Sequence, residues 1–181
     1  MAIIPITIYG DKILRQKAQQ VNSVSDELIE KITNMFDTMH NAHGIGLAAN
    51  QVGFRDSLFV IDLQNVEGYE KTKPMAFINP QILIHSDEKE IMEEGCLSLP
   101  SLSADVERSK AVKIRYIDTD EKEQEIEADE LFARVILHEY DHLIGKMIPD
   151  RVAEEIKIKL ADELELIKNR EVETEYPISK G

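Results

Sequence analysis

The sequence is short of cysteine and of positive charge, and both shortages narrow the possible functions. Cys96 is the one cysteine among 181 residues, so no disulfide can form within the chain. A chain without disulfides suits a reducing compartment. The formal net charge is −14, which argues against a protein that binds nucleic acid through its phosphates. We therefore expect no direct nucleic-acid partner.

Long hydrophobic runs, internal repeats and low-complexity tracts are also absent. The apolar stretch at residues 3–8 is interrupted by Pro5 and has no basic leader, so we expect neither a signal peptide nor a membrane-spanning segment. No composition shift marks a domain boundary. The sequence predicts one domain over residues 1–170, a frayed C-terminal tail over residues 171–181, a cytoplasmic location and no contact with a membrane.

The most informative pattern is His-Glu-x-x-His at residues 138–142. The run 129–145 predicts a helix, with Asp129 as N-cap and Gly145 as its end. His138 and His142 are four residues apart, so both lie on one face of this helix. Two imidazoles at this spacing can bind one metal ion, and Glu139 can reach water bound to it. The pattern indicates a metal-dependent hydrolase that needs a third protein ligand.

Two sources for the third ligand remain open from the residues alone. A lone cysteine is more often a small buried hydrophobic residue than a ligand. Cys96, however, follows Gly95 in an acidic segment of a chain whose histidine pair lacks a partner. Glu163 and Glu165 lie at about the distance at which a zinc endopeptidase places its downstream glutamate.

Hydrophobic periodicity predicts the remaining elements. The apolar stripes of residues 26–43 and 150–170 predict helices, the first of them capped by Ser25. Four stretches are rich in β-branched and aromatic residues and predict strands, namely residues 57–62, 76–85, 106–118 and 123–127. The connections between them are short, which favours antiparallel pairing. Residues 44–53 contain three glycines and two alanines, a composition typical of a tight backbone passage.

Three segments in order resemble the signature motifs of the peptide deformylase family. Gly44–Gly53, Glu94–Ser98 and His138–His142 match GφGφAAxQ, EGCφS and HExDH, where φ is apolar. The resemblance covers about residues 1–165. It implies an α+β fold, in which antiparallel β-sheets surround a central metal-bearing helix between N-terminal and C-terminal helices. It also implies removal of the formyl group from newly made polypeptides that begin with formyl-methionine, with release of formate.

The family's metal and catalytic roles carry over residue by residue. The resemblance implies that Cys96, His138 and His142 bind one divalent ion, usually iron(II), for which zinc or nickel can substitute. Glu139 becomes the general base and acid. The oxyanion donors are the side-chain amide of Gln51 and the backbone N–H of Leu97.

The resemblance also implies how the substrate binds. Gly46 pairs through its backbone with the extended peptide of an N-formyl-methionyl chain. By position we expect Ile45, Met92, Leu131 and Val135 to line the methionine pocket, although plain core packing is an equal alternative for each. Some family members contact the ribosome through a basic C-terminal helix. Residues 150–175 hold five Lys or Arg against nine Asp or Glu, which favours a solvated acidic face over that transient contact.

Three positions depart from the common family pattern. Asn50 stands where proline or threonine often precedes the glutamine, and Leu137 stands where glutamine usually precedes the first histidine. Ser103 occupies the position of an arginine that steadies the substrate peptide in many members. These departures concern contacts beyond methionine, whereas the catalytic set is complete. The completeness of this set argues against a non-enzymatic binding module.

Overall fold

The computed structural model describes residues 2–181, which form two antiparallel sheets and four α-helices. The larger sheet has five strands in the order β1-β2-β3-β6-β7, and β4 pairs with β5 in a separate hairpin. The strands are β1 (Gly46–Ala48), β2 (Leu58–Ile61), β3 (Met75–His85), β4 (Lys89–Cys96), β5 (Leu99–Ser109), β6 (Ala111–Ile117) and β7 (Glu123–Asp129). The helices are α1 (Asp26–Asn41), α2 (Glu130–Leu143), α3 (Glu154–Lys159) and α4 (Ala161–Lys168).

Helix α2 lies at the centre of the fold, in contact with β1, β2, β5, β6 and β7. Its apolar side chains pack with Phe77, Ile114 and Tyr116 of the larger sheet into one core cluster. Leu137 belongs to this cluster and is buried, so it faces the core. The histidine side of the helix is thereby left facing the β4–β5 hairpin.

Helix α1 covers the other side of β1 and β2. Ser25 caps it as predicted, because its hydroxyl accepts a hydrogen bond from the Leu28 N–H at 3.3 Å. Met35 and Met39 are fully buried and pack with Leu47 and Leu58 in a second core cluster. The strand that precedes Gln51 is therefore fixed between two helices.

Several predicted boundaries differ from the observed ones. Strand β4 was not predicted, and the single strand expected at 106–118 is two strands separated by Lys110. The chain turns there because the Lys110 N–H donates to Glu88 while its carbonyl accepts from Glu130. The helix expected at 150–170 is two short helices, α3 and α4, that meet at Leu160. Asp129 precedes α2, but its side chain makes no capping hydrogen bond.

The C-terminal segment, which the sequence predicts to be frayed, makes defined contacts. The Ile6 N–H donates to the Pro177 carbonyl at 2.9 Å, and the Ser179 N–H donates to the Ile6 carbonyl at 2.8 Å. The Arg170 guanidinium and the Ser179 hydroxyl both contact the Asp11 carboxylate. Residues 171–179 therefore return along the N-terminal segment. Among the described residues, no helix has the length and apolar character needed to cross a membrane.

Candidate metal centre and active site

Cys96, His138 and His142 bring three potential metal-ligand atoms together. The Cys96 Sγ and the His142 Nε2 are 3.3 Å apart, and so are the Nε2 atoms of the two histidines. All three atoms lie within 4.8 Å of one another. Burial lowers the pKa of His142 well below its usual value, so its imidazole is held in the neutral form that binds metals. One sulfur and two nitrogens in this arrangement fit a divalent transition metal, with room for a fourth ligand.

Glu94 fixes the orientation of the first histidine. Its carboxylate lies 2.9 Å from His138 Nδ1. Burial raises the pKa of Glu94, but hydrogen bonds from His138 and Arg108 outweigh burial and hold this pKa far below its usual value. A carboxylate only accepts hydrogen bonds, so Nδ1 carries a proton and Nε2 is the ring nitrogen that faces the other two ligand atoms.

Two buried arginines hold Glu94 in place. Arg108 donates to both of its oxygens, at 2.6 and 3.0 Å, and Arg134 donates to one of them at 2.9 Å. Arg108 also donates to Asp141 at 2.7 Å. Asp141 lies in the His-Glu-x-x-His segment, so the same guanidinium links the β4–β5 hairpin to α2.

Glu139 is buried beside the ligand group and is 3% exposed. Burial raises its pKa to about 7, because an apolar environment disfavours the charged carboxylate. Its Oε2 has no hydrogen-bond partner among residues 2–181. A carboxyl group with a pKa near neutrality and a free oxygen can accept and return a proton.

Gln51 is oriented by the backbone of its own loop. Its Oε1 accepts from the Ala48 N–H at 2.8 Å, so its amide nitrogen points the other way. That nitrogen lies 3.2 Å from the Ser98 hydroxyl and 3.6 Å from Cys96 Sγ. The neighbouring Asn50 donates to the His142 carbonyl at 2.6 Å, near the end of α2. The loop therefore contacts the turn of the β4–β5 hairpin through Gln51 and the end of α2 through Asn50.

A cavity of about 640 Å³ opens onto these groups. Of the residues predicted to bind substrate, Ile45, Gly46, Leu131 and Val135 line it, together with the catalytic candidates Gln51, Leu97 and Glu139. Met92 is not among the lining residues. It pairs with Val106 further along the β4–β5 hairpin, whereas apolar surface comes from Leu99 and Leu102. Ser103 also lines the cavity.

The comparisons with known proteins agree with this geometry. The polypeptide deformylase family model matches residues 3–157. A peptide deformylase of Chlorobium phaeobacteroides is 44% identical over 177 residues, which are 98% of this chain and 95% of that protein. The chain belongs to the polypeptide deformylase family. It is an enzyme of that family, whose reaction removes the N-formyl group from nascent peptides.

Solved deformylase structures share the fold. The Thermotoga maritima peptide deformylase superimposes with a TM-score of 0.79 at 39% identity, covering 84% of this chain and 99% of that one. The Synechococcus elongatus peptide deformylase, solved in complex with actinonin, gives 0.81 at 40% identity and covers 88% and 85%. The predicted α+β fold is thus confirmed.

The deformylase assignment argues against an endopeptidase, which was the reason to consider Glu163 or Glu165 as the third ligand. Glu163 and Glu165 are both exposed on α4, and Glu165 pairs with Lys168 at 3.1 Å. Among the described residues, the group that could hold a metal contains Cys96 and neither glutamate.

Several residues of this deformylase site were missed from the sequence. Glu94 and Asp141 lie inside motifs already recognised. Arg108 occupies an inward position of an alternating strand, where a charged residue signals a buried partner. Ser98 also lies inside a recognised motif, EGCφS. Arg134 and Tyr176 carry no comparable signal, because their roles depend on which distant segments meet them.

Proposed function

We propose that this enzyme hydrolyses the formyl amide of peptides that begin with formyl-methionine, with Glu139 as general base and acid. The observation that carries the proposal is the Oε2 of a buried Glu139, which has no partner among the described residues, in the cavity lined by the ligand candidates Cys96 and His138. His142 completes the ligand group behind them. One divalent ion bound by those three residues, with iron(II) as the resident metal and zinc or nickel as substitutes, would polarise the formyl carbonyl and acidify water.

Glu139 moves the proton in this scheme. With a pKa of about 7, its carboxylate accepts a proton from the attacking water near neutral pH. The resulting carboxylic acid then delivers that proton to the departing amine of methionine. Because the group is buried, the proton is kept for the leaving amine instead of being lost to bulk water.

Gln51 and Leu97 stabilise the negative charge that develops on the formyl oxygen. The Gln51 amide is already aimed into the site by its bond to Ala48. Leu97 lies in the two-residue turn between β4 and β5 and lines the same cavity as Gln51. Preoriented donors of this kind lower the barrier because they need not reorganise during the reaction.

The substrate backbone would extend β1. This strand lies at an edge of the five-stranded sheet, and Gly46 lines the cavity. An extended peptide can add to such an edge through main-chain hydrogen bonds. Ile45, Leu131 and Val135 then receive the methionine side chain. We place the enzyme in the cytoplasm, where it meets nascent peptides, and any contact with the ribosome is transient.

The proposal is tested by formate release from a formyl-methionyl dipeptide, using protein purified anaerobically with iron(II). An acetyl-methionyl dipeptide is the matched control substrate. We expect formate production, with the acetyl compound cleaved at least about tenfold more slowly because its extra methyl group fits a tight site poorly. No formate from folded, metal-loaded protein would contradict the proposal.

The number of metal ions bound by each variant provides an independent test of the ligand set. Cys96→Ala should abolish binding of one equivalent of metal, whereas Glu163→Ala and Glu165→Ala should not. Loss of metal in either glutamate variant, with retention in Cys96→Ala, would contradict the assignment of Cys96 as the third ligand.

A further inference from the structure

The C-terminal tail supplies a residue to the catalytic cavity. Tyr176 lines the same cavity as Cys96, His138 and Glu139. It lies outside the part of the chain matched by the family model, which ends at residue 157. The tail is fixed on both sides of it, since Arg170 contacts Asp11 before it and the backbone of residues 177–179 bonds to Ile6 after it. Tyr176 is therefore held in the cavity wall by the fold.

The hydroxyl of Tyr176 makes one specific contact. It donates to the Leu97 carbonyl at 2.8 Å, and its half-buried ring packs in the cluster that includes Leu97. Burial, together with the nearby Cys96, raises the pKa of Tyr176 to about 12, so the hydroxyl remains a donor at neutral pH.

The side chain of Leu97 packs in that cluster, but its backbone has few hydrogen bonds. It and Ser98 form the turn between Cys96 and Leu99, which face each other across the hairpin. Ser98 has its own anchors, since its carbonyl accepts from the Tyr9 N–H at 2.9 Å and its hydroxyl accepts from Gln51 at 3.2 Å. Within residues 2–181, one hydrogen bond reaches the Leu97 backbone from outside the hairpin, and Tyr176 donates it.

We propose that Tyr176 is a positioning residue, which holds Leu97 so that its N–H faces the developing oxyanion. The inference rests on the proposed function, because it assigns Leu97 the role of oxyanion donor. The bond to the Leu97 carbonyl holds the Leu97–Ser98 peptide and the Leu97 Cα in place. This anchor limits the rotation left to the adjoining Cys96–Leu97 peptide, which carries the N–H. Donors that are already aligned contribute most in the transition state, where charge develops.

The test compares Tyr176→Phe with the parent and with Tyr69→Phe. Tyr176→Phe keeps the ring and removes the donor. The Tyr69 hydroxyl makes no hydrogen bond among the described residues, and Tyr69 lies in a loop and does not line the cavity. We expect kcat of Tyr176→Phe to fall about fivefold to tenfold, the size of one neutral hydrogen bond. KM should stay within about twofold, because substrate binding does not need the oxyanion contact. Tyr69→Phe should match the parent in both constants.

Amide hydrogen exchange gives a readout that does not depend on turnover. Exchange at Leu97 and Ser98 should become several-fold faster in Tyr176→Phe and remain unchanged in Tyr69→Phe. Unchanged kcat in Tyr176→Phe, or a loss confined to KM, would overturn the positioning role. Unchanged exchange would overturn it as well. If the parent itself released no formate, the proposed function would fail, an outcome distinct from an active parent with an unaffected variant.

Discussion

Gly46 shows how closely the catalytic residues are packed. A Cβ at this position would lie 2.5 Å from Glu139 Oε1 and 2.9 Å from Val135 Cγ1. Both distances are far below van der Waals contact, so the absence of a side chain lets α2 approach β1. The glycine of the motif therefore leaves room for the Glu139 carboxylate, in addition to the backbone pairing with substrate that we propose for it.

Gly46→Ala is expected to reduce deformylation about a hundredfold or more. The added methyl group displaces the Glu139 carboxylate from its position, and general acid–base catalysis contributes roughly 10² to 10⁴ in rate. The metal ligands are not touched, so one equivalent of metal should remain bound. Kinetics and metal analysis on the same sample check both statements, and a fully active Gly46→Ala enzyme would contradict the close approach.

At the scale of elements, buried charge joins α2 to the β4–β5 hairpin. Arg108 of β5 contacts Glu94 of β4 and Asp141 of α2, and all three side chains are about 5% exposed. Removing one partner from such a network leaves an uncompensated buried charge. The hairpin carries Cys96 and the helix carries both histidines, so this linkage sets the geometry of the ligand group.

Arg108→Met should lower the free energy of unfolding by about 3 to 5 kcal/mol. The apolar side chain is similar in length but cannot pair with the two carboxylates. Arg115→Met is the matched control, because Arg115 lies on β6, the next strand along the chain, and its ion pair with Glu125 is exposed to solvent. It should change stability little. Equal effects of the two substitutions in urea unfolding would refute the linkage.

Periodicity predicted the elements whose pattern is local and failed where contacts are distant. The histidine helix and the Ser25 cap follow from spacing within one segment. The break at Lys110 depends on backbone hydrogen bonds with Glu88 and Glu130, and both residues are distant from Lys110 in the sequence. Strand β4 is rich in glutamate, so its composition does not favour a strand, and pairing with β5 overrides that preference.

At the scale of the whole molecule, the site is assembled from segments far apart in the sequence. The loop with Gln51, the hairpin with Cys96 and the helix with His138 each carry a recognisable motif, which is why their roles could be predicted. Tyr176 comes from a fourth segment that has no motif. Its place in the cavity wall depends on the return of the tail along Ile6, and only the folded chain reveals it.

The most direct test of the account is formate release by the Glu139→Ala variant beside the parent, with metal content measured in both. Glu163→Ala, which removes an exposed carboxylate from α4, serves as the control. We predict that Glu139→Ala keeps one equivalent of metal and loses at least about a hundredfold in rate, while Glu163→Ala matches the parent. Near-normal turnover in metal-loaded Glu139→Ala would contradict the role of Glu139 and the mechanism built on it.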